Sequence, residues 1–166
     1  QYGEEHGVEV IRQIQTMRET QREEFLAQFQ EKRTDTLIGF CVMGGIFSEG
    51  IDLVGERLIG ALIVGTGLPQ VSNERKILMD FYDKKGENGF DYAYRIPGMN
   101  KVQQSAGRVI RTVEDRGIIA LLDERFLYRE SLNLFPREWF PYEVVTKDTA
   151  GERAEAFWME RFSENR

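Results

Sequence analysis

The sequence predicts an α/β fold in which parallel strands alternate with helices. Three short apolar segments, each typical of a strand covered on both faces of a parallel sheet, stand well apart along the chain. Between them, apolar residues recur at helical spacing. Elements that alternate in this way form βαβ units, which place the strands in parallel. We therefore expect a sheet flanked by helices, a three-layer αβα arrangement.

Strands are predicted where apolar and β-branched residues cluster. Residues 8–12 alternate in polarity, which indicates a short strand. Residues 37–43 and 59–64 are apolar segments that end at glycines, and 117–123 is a third segment of the same kind. Cys41, the only cysteine, falls in the first apolar segment, so we expect it to be a small buried side chain.

Helices are predicted from capping residues followed by apolar residues at helical spacing. Residues 20–23 have the spacing of a capping box, and the helix that they begin should run to about Lys32. Ser72 or Asn73 caps a second helix, which Gly86 ends. A loop rich in Gly, Asn and Asp should follow to about Pro97, and a third helix should then span about residues 100–112.

The third helix carries the most informative pattern in the chain. At about 100° per residue, one polar stripe contains Gln104, Gly107, Arg108 and Arg111. The opposite side contains Val102, Ala106, Val109 and Ile110. Two guanidinium groups one turn apart repel unless an anion with several oxygens lies opposite, and a transferring γ-phosphoryl group is such an anion. The same spacing also fits an ordinary amphipathic helix with a solvated basic face.

Gly107 interrupts this helix at a cost of about 1 kcal/mol relative to alanine. A close neighbour, such as a nucleotide, would explain why a side chain is absent there.

A second pattern follows the strand predicted at 37–43. Open α/β sheets bind ligands beyond the carboxyl ends of their strands, and the segment from Gly44 to Asp52 is placed there. Its glycines allow close approach of a phosphate or ribose, and Ser48, Glu49 and Asp52 offer polar groups. Without a ligand the same segment would be a simple turn at the end of a strand.

Composition excludes several kinds of site. A single cysteine rules out a disulfide and a four-cysteine zinc site within the chain. We predict no metal site and no serine–histidine–aspartate triad. The sequence contains no Gly-x-x-x-x-Gly-Lys-[Ser/Thr] loop to bind the β- and γ-phosphates. A net charge of −6 argues against tight nucleic-acid binding by the chain alone.

The C-terminal region carries a separate helical signal. Thr149 and Glu152 have capping-box spacing, and aromatic residues follow on one side. We therefore divide the chain into a main domain at 1–147 and a helical tail at 148–166. We find no segment that would cross a membrane and expect a cytoplasmic protein, of bacterial origin.

Taken together, the two patterns resemble a known family. The segment Gly45-Ile-Phe-Ser-Glu-Gly-Ile-Asp-Leu53 looks like motif V of the DinG/XPD-type superfamily 2 DNA helicases. Gln104-Ser-Ala-Gly-Arg-Val-Ile-Arg111 resembles their motif VI. The resemblance extends over about residues 8–142, and the two motifs are separated as in the family.

The resemblance implies the second RecA-like motor domain of such a helicase. Arg108 and Arg111 would be arginine fingers that reach the γ-phosphate of ATP, and Gln104 would help to sense it. Gly50 and Asp52 would contact nucleotide or couple it to DNA, with Ser48 and Glu49 in the same relay.

The resemblance also implies partners and cofactors outside the chain. ATP and Mg²⁺ would be bound mainly by a first RecA-like domain with a P-loop, and an iron–sulfur cluster would belong elsewhere in the parent protein. We expect single-stranded DNA as the track, 5′ to 3′ movement, and no activity from this chain alone. Two alternatives stay open, namely a non-catalytic interaction module with a helicase-like fold and an RNA-directed helicase domain.

Overall fold

Strands and helices alternate along the chain in a computed structural model that describes residues 7–14, 16–30, 33–45, 53 and 55–164. The strands are β1 (Val8–Arg12), β2 (Thr36–Phe40), β3 (Gly60–Val64) and β4 (Ile118–Leu122). The helices are α1 (Glu19–Ala27), α2 (Asn73–Lys84), α3 (Ile96–Ala106), α4 (Arg129–Leu132) and α5 (Ala150–Glu164). Shorter turns are the 3₁₀ segments Gly55–Arg57, Glu124–Leu127 and Arg137–Trp139 and the π-helical segment Asp91–Arg95.

The described strands pair in parallel, as the sequence predicts. β1 pairs with β2, and β3 pairs with β4, each over five residues. Parallel neighbours need a crossover, and helices supply it: α1 connects β1 to β2, while α2 and α3 lie between β3 and β4. The α/β class with parallel strands is therefore confirmed.

The face of β2 that carries Gly39 is covered by α1, and the other face is exposed. A Cβ built on Gly39 would lie 2.7 Å from the ring of Phe29, so the aromatic ring occupies the space of the missing side chain. On the opposite face Ile38 and Phe40 are 43% and 62% exposed. The prediction of a strand covered on both faces is wrong for the described part of the chain, because α1 packs against one side only.

Cys41 is exposed and not buried, which corrects the sequence prediction. It lies just beyond the end of β2 and so outside the strand in which burial was expected. Partial desolvation nevertheless raises the pKa of its thiol to about 11, so the group stays protonated at neutral pH.

Helix α1 begins and ends at residues other than those predicted. It begins at Glu19, where the side-chain oxygen of Gln21 accepts a hydrogen bond from the backbone N–H of Arg18 at 2.9 Å. The capping box predicted at 20–23 is therefore displaced by two residues. Glutamine serves the role because its amide oxygen reaches back one turn as a glutamate would.

The end of α1 is fixed by a side chain that follows it. The helix ends at Ala27 and not near Lys32. The carbonyl of Gln28, just after the helix, accepts a guanidinium N–H of Arg33 at 3.0 Å as well as the backbone N–H of Gln30 at 3.0 Å. Arg33 also pairs with Glu9 on β1 at 2.5 Å, so one cation joins the helix end to the sheet.

Helix α2 agrees with the prediction, whereas the loop predicted after it does not. The hydroxyl of Ser72 accepts from the backbone N–H of Arg75 at 3.3 Å. The π-helical segment Asp91–Arg95 runs directly into α3. The rings of Tyr82 and Tyr92 stack with 3.8 Å between their centres. Packing of this kind against α2 stabilises a helical conformation in a segment whose composition is typical of a loop.

The core is built largely around α3. Buried apolar residues on or near it are Ala93, Tyr94, Met99, Val102, Ala106 and Val109. Val102 and Ala106 have no exposed area. A separate buried cluster contains Phe25 and Leu53, with Ile11, Met17, Leu26, Phe29 and Leu58 packed around it.

The chain separates into two compact units, Gln1–Leu134 and Phe135–Arg166. The first unit contains all four strands and helices α1 to α4. Within the second, the ring of Phe135 packs edge-on against Trp139 with 5.0 Å between ring centres, and α5 follows. The boundary between a motor domain and a tail at 147/148 stays a prediction.

Asp123 and Arg125 form a structural link at the end of β4. The Asp123 carboxylate accepts the backbone N–H of Arg125 at 2.9 Å and two guanidinium N–H groups at 2.8 and 2.6 Å. The Arg125 guanidinium lowers the pKa of Asp123 to about 2.

We expect Asp123→Asn to lower the free energy of unfolding by about 1 kcal/mol at pH 7. Asparagine keeps the capping oxygen and removes the charge. Because the folded-state pKa of Asp123 is depressed to about 2, its contribution is present above about pH 4 and is lost as the pH falls toward 2. Urea unfolding of both proteins across this range measures the difference. A difference that grows on acidification would contradict the assignment.

Val102→Ala should destabilise the fold by about 2 kcal/mol, because the residue is fully buried and a cavity would remain. Val113 is the matched control, since its side chain is fully exposed (104%) and Val113→Ala should change stability by less than about 0.5 kcal/mol. Chemical unfolding of the three proteins tests the pair. Equal effects at the two positions would show that α3 does not form the core.

Candidate functional site

Helix α3 ends before the two arginines of the predicted polar stripe. Its last residue is Ala106, and the backbone N–H of Gly107 donates to the carbonyl of Gln103 at 2.8 Å to close the final turn. The next two residues continue as a tighter turn, in which the N–H of Arg108 bonds to the carbonyl of Ser105 at 3.3 Å. The prediction of a helix to residue 112 is therefore wrong, and Arg108 and Arg111 do not share a helical face with Gln104.

The arginines do not form a solvated basic face. Gln104 is exposed on the last turn of α3, whereas Arg108 and Arg111 are half-buried. The Nε atom of Arg108 is buried. The ordinary amphipathic helix that the spacing also allowed is thus not what the chain forms.

The apolar side of the stripe is confirmed in part. Val102, Ala106 and Val109 are buried as predicted. Ile110 is 46% exposed, because the chain has already left the helix when it reaches this residue. Gly117 allows the return toward β4, since a Cβ there would lie 2.3 Å from a methyl group of Val109.

The segment that holds Arg111 is fixed by a carboxylate. One oxygen of Asp115 accepts the backbone N–H of Arg111 at 2.8 Å and that of Thr112 at 2.7 Å. These bonds to Arg111 and Thr112, with a weaker backbone contribution from Gly55, lower the pKa of Asp115 below its ordinary value. The backbone of Arg111 is therefore held by an ionised acceptor at neutral pH.

No ligand contact is assigned to Gly107. Its φ is −65°, which any residue adopts, and a Cβ there would lie 3.2 Å from the carbonyl of Gln103. The neighbour that this Cβ would meet is the backbone of the preceding turn. The nucleotide contact suggested for Gly107 stays a prediction.

The glycine-containing segment after β2 is described only at its two ends. Ser48, Glu49, Gly50 and Asp52 lie outside the described residues. At its start Gly44 has a φ of +76°, and the side-chain oxygen of Gln13 accepts the N–H of Val42 at 2.9 Å. At its end Leu53 is buried against Phe25. The segment therefore begins just beyond the carboxyl end of β2, as predicted, and its last residue, Leu53, lies in the core.

The structure adds residues near the carboxyl ends of β2 and β3 that the sequence patterns did not indicate. The side chain of Lys101 lies over Gly44, with its Cδ 3.1 Å from a Cβ built there. Gly98, in the first turn of α3, and Gly67, after β3, approach so closely that a Cβ on Gly67 would lie 2.7 Å from the Gly98 carbonyl. In the sequence, a glycine next to Pro97 at the start of a helix was the signal that could have indicated this close approach. The carboxyl ends of β2 and β3 thus meet α3.

Two classes of feature are absent from the part of the chain that the structure describes. Its cysteine and acidic side chains form no cluster of three that could hold a metal ion. Nor does any helix in the described ranges combine the length and apolar character needed to span a bilayer.

Comparison with known proteins identifies relatives of this chain. Residues 1–142 match the family described as Helicase C-terminal domain. The chain is 35% identical over 124 residues to the ATP-dependent DNA helicase chl-1 of Caenorhabditis elegans, covering 73% of this chain and 15% of that protein. It is 29% identical over 131 residues to a regulator of telomere elongation helicase 1 homolog of the same organism, covering 73% and 13%.

A solved structure has the same fold. An XPD helicase superposes with a TM-score of 0.56 at 19% identity, over 76% of this chain and 26% of that one. The expected RecA-like helicase fold is thereby confirmed. Since the family match extends over residues 1–142 and includes both sequence motifs, the chain belongs to the helicase C-terminal domain family.

Proposed function

We propose that this chain is the second motor domain of an ATP-dependent DNA helicase that moves 5′ to 3′ on single-stranded DNA. In this proposal it works with a P-loop domain, and ATP with its Mg²⁺ binds between the two. The names of the two relatives, an ATP-dependent DNA helicase and a regulator of telomere elongation helicase 1 homolog, support DNA as the substrate. The chain spans less than a sixth of those two proteins, so the rest of the machinery lies in other domains.

The observation that carries the proposal is the fixed exit from α3. Helix α3 is anchored by fully buried Val102 and Ala106, and the backbone of Arg111 is held by Asp115. Arg108 and Arg111 therefore lie on a segment whose backbone is held in place, and not on a flexible loop. An arginine finger needs this rigidity, because stabilisation of a transition state depends on donors that are in position before the charge develops.

The chemistry proposed for the arginines is charge stabilisation. When the γ-phosphoryl group transfers to water, negative charge spreads over its oxygens, and guanidinium N–H groups pair with such oxygens in a bidentate manner. Bound Mg²⁺ would neutralise part of the same charge from the P-loop side. Gln104 is exposed on the last turn of α3, and we propose that it lies beside the nucleotide.

The segment after β2 is proposed to connect nucleotide with DNA. Gly50 and Asp52 would contact nucleotide or relay its state, and Ser48 and Glu49 would act in the same relay. Support comes from the described residues on either side of the segment. Val42 lies just beyond the carboxyl end of β2, where α/β proteins place their ligands, and Leu53 is buried.

Arg108→Ala in the full-length protein should lower DNA-stimulated ATP turnover by about 10³-fold or more, the range found when an arginine finger is removed. The matched control is Arg129→Ala, which removes an exposed arginine from α4 and should leave turnover unchanged. Steady-state ATPase assays on the three proteins decide the matter. Normal turnover in Arg108→Ala would overturn the arginine-finger assignment.

The chain by itself should show no measurable ATPase, because its sequence has no P-loop to bind the β- and γ-phosphates. The full-length protein should hydrolyse ATP faster with single-stranded DNA than with RNA of the same sequence. Turnover by the purified chain that disappears in Arg108→Ala would contradict the first expectation. Stronger stimulation by RNA would instead favour the RNA-directed alternative.

A further inference from the structure

A lysine of helix α3 lies across the start of the segment that follows β2. The side chain of Lys101 passes over Gly44, where its Cδ, Cε and Nζ atoms lie 3.1, 3.2 and 3.5 Å from a Cβ built on that glycine. Gly44 is exposed and has a φ of +76°, a conformation that favours glycine, and the absence of a side chain leaves room for the lysine. Lysine commonly packs its hydrocarbon stem on the protein and keeps its ammonium group in water, and half-buried Lys101 fits this pattern.

This contact lies where β2 and β3 end and α3 begins. The Sδ atom of Met43, the residue before Gly44, lies 3.1 Å from a Cβ built on Gly67, which follows β3. The same Cβ would lie 2.7 Å from the carbonyl of Gly98, in the first turn of α3. Lys101 comes three residues after Gly98, so it lies beside the carboxyl ends of parallel strands, where α/β proteins bind their ligands.

Lys101 supplies positive charge in a chain that is acidic as a whole. The net charge is −6, whereas binding of a nucleic-acid strand depends on lysine and arginine side chains that neutralise phosphates. Among the residues that the structure describes, none forms an ion pair with Lys101. Its stem is already ordered against Gly44, so less side-chain entropy remains to be lost when the ammonium group binds an anion.

The position of Lys101 along α3 favours a phosphate other than the γ-phosphate of ATP. Arg108, the proposed arginine finger, comes seven residues later, which corresponds to about 10 Å along the helix axis. Two cations this far apart serve different phosphates. The backbone of the proposed DNA track supplies phosphates away from the nucleotide.

We propose that Lys101 binds a backbone phosphate of single-stranded DNA at the carboxyl ends of β2 and β3. It adds affinity without reading the base sequence, because the phosphate is the same at every nucleotide. The inference rests on the proposed function and adds to it a DNA contact made by a residue outside both motifs.

Binding of the full-length protein to labelled single-stranded DNA, without nucleotide and at several salt concentrations, tests the assignment. Each phosphate contact with a single strand contributes about 0.7 to the steepness with which log K falls against log salt. Lys101→Met keeps an unbranched stem over Gly44 and removes the charge, so the steepness should fall by about 0.7. If the contact contributes nothing at about 1 M salt, binding at about 0.1 M should be about fivefold weaker. The loss should be equal for strands of different sequence.

Two variants control for charge and position. Lys101→Arg retains a cation and should keep the wild-type salt dependence. Lys84→Met removes an exposed lysine from the last turn of α2 and should leave both affinity and salt dependence unchanged. An equal effect of Lys84→Met and Lys101→Met would show that only the overall charge matters, and would overturn the inference.

Steady-state kinetics distinguish DNA from nucleotide as the source of the phosphate. In Lys101→Met at about 0.1 M salt, the DNA concentration for half-maximal stimulation of ATP turnover should rise about fivefold, while the KM for ATP at saturating DNA stays the same. A raised KM for ATP with an unchanged salt dependence would assign Lys101 to the nucleotide and overturn the DNA contact. If neither quantity changes, Lys101 binds no phosphate.

The same measurements separate this inference from the proposed function. If Arg108→Ala keeps normal turnover while Lys101→Met weakens the salt dependence of DNA binding, the phosphate contact stands and the arginine-finger assignment fails. If wild-type protein binds single strands and Lys101→Met binds them with the same salt dependence, the contact fails and the proposed function stands. A wild-type protein that binds no single-stranded DNA would overturn both.

Discussion

The buried side of helix α3 is the constraint on which the rest of the structure depends. Met99, Val102, Ala106 and Val109 are each at most 2% exposed, so the helix is fixed both in rotation and in depth. A Cβ on Gly98 would lie 2.6 Å from the Thr66 carbonyl, which shows how closely the first turn of the helix meets the loop after β3. Because protein interiors are close-packed, a helix held in this way determines where the chain emerges from its end.

Where regular structure stops, single charged side chains take over the backbone hydrogen bonds. Arg33 serves the carbonyl at the end of α1, Asp115 serves the amides after α3, and Asp123 serves an amide after β4. Backbone groups next to the end of a helix or strand lack some of the partners that regular structure supplies, and these side chains provide them. The irregular segments next to the candidate site therefore have defined geometry without belonging to a helix or strand.

The parts of the fold that the sequence predicted well are those governed by local pattern. Four strands and helix α2 lie close to their predicted positions, since apolar runs and a serine cap act over a few residues. The end of α3 was missed because Gln104 to Arg111 has helical spacing throughout, and only packing decides that the helix stops at Ala106. The π-helical segment Asp91–Arg95 was missed for the opposite reason, since a loop-like composition is overridden by contacts with α2.

The sequence by itself determined the α/β class, the parallel strands and the family, because the periodicity and the two motifs can be recognised from the order of the residues alone. It also named Arg108 and Arg111 as candidate groups. The tertiary structure decided how these residues are held: both are half-buried and lie beyond the end of the helix, and the backbone of Arg111 is fixed by the Asp115 carboxylate. No local pattern specifies this burial, because it depends on the core around α3, which forms only when the helix packs against residues from distant segments of the chain.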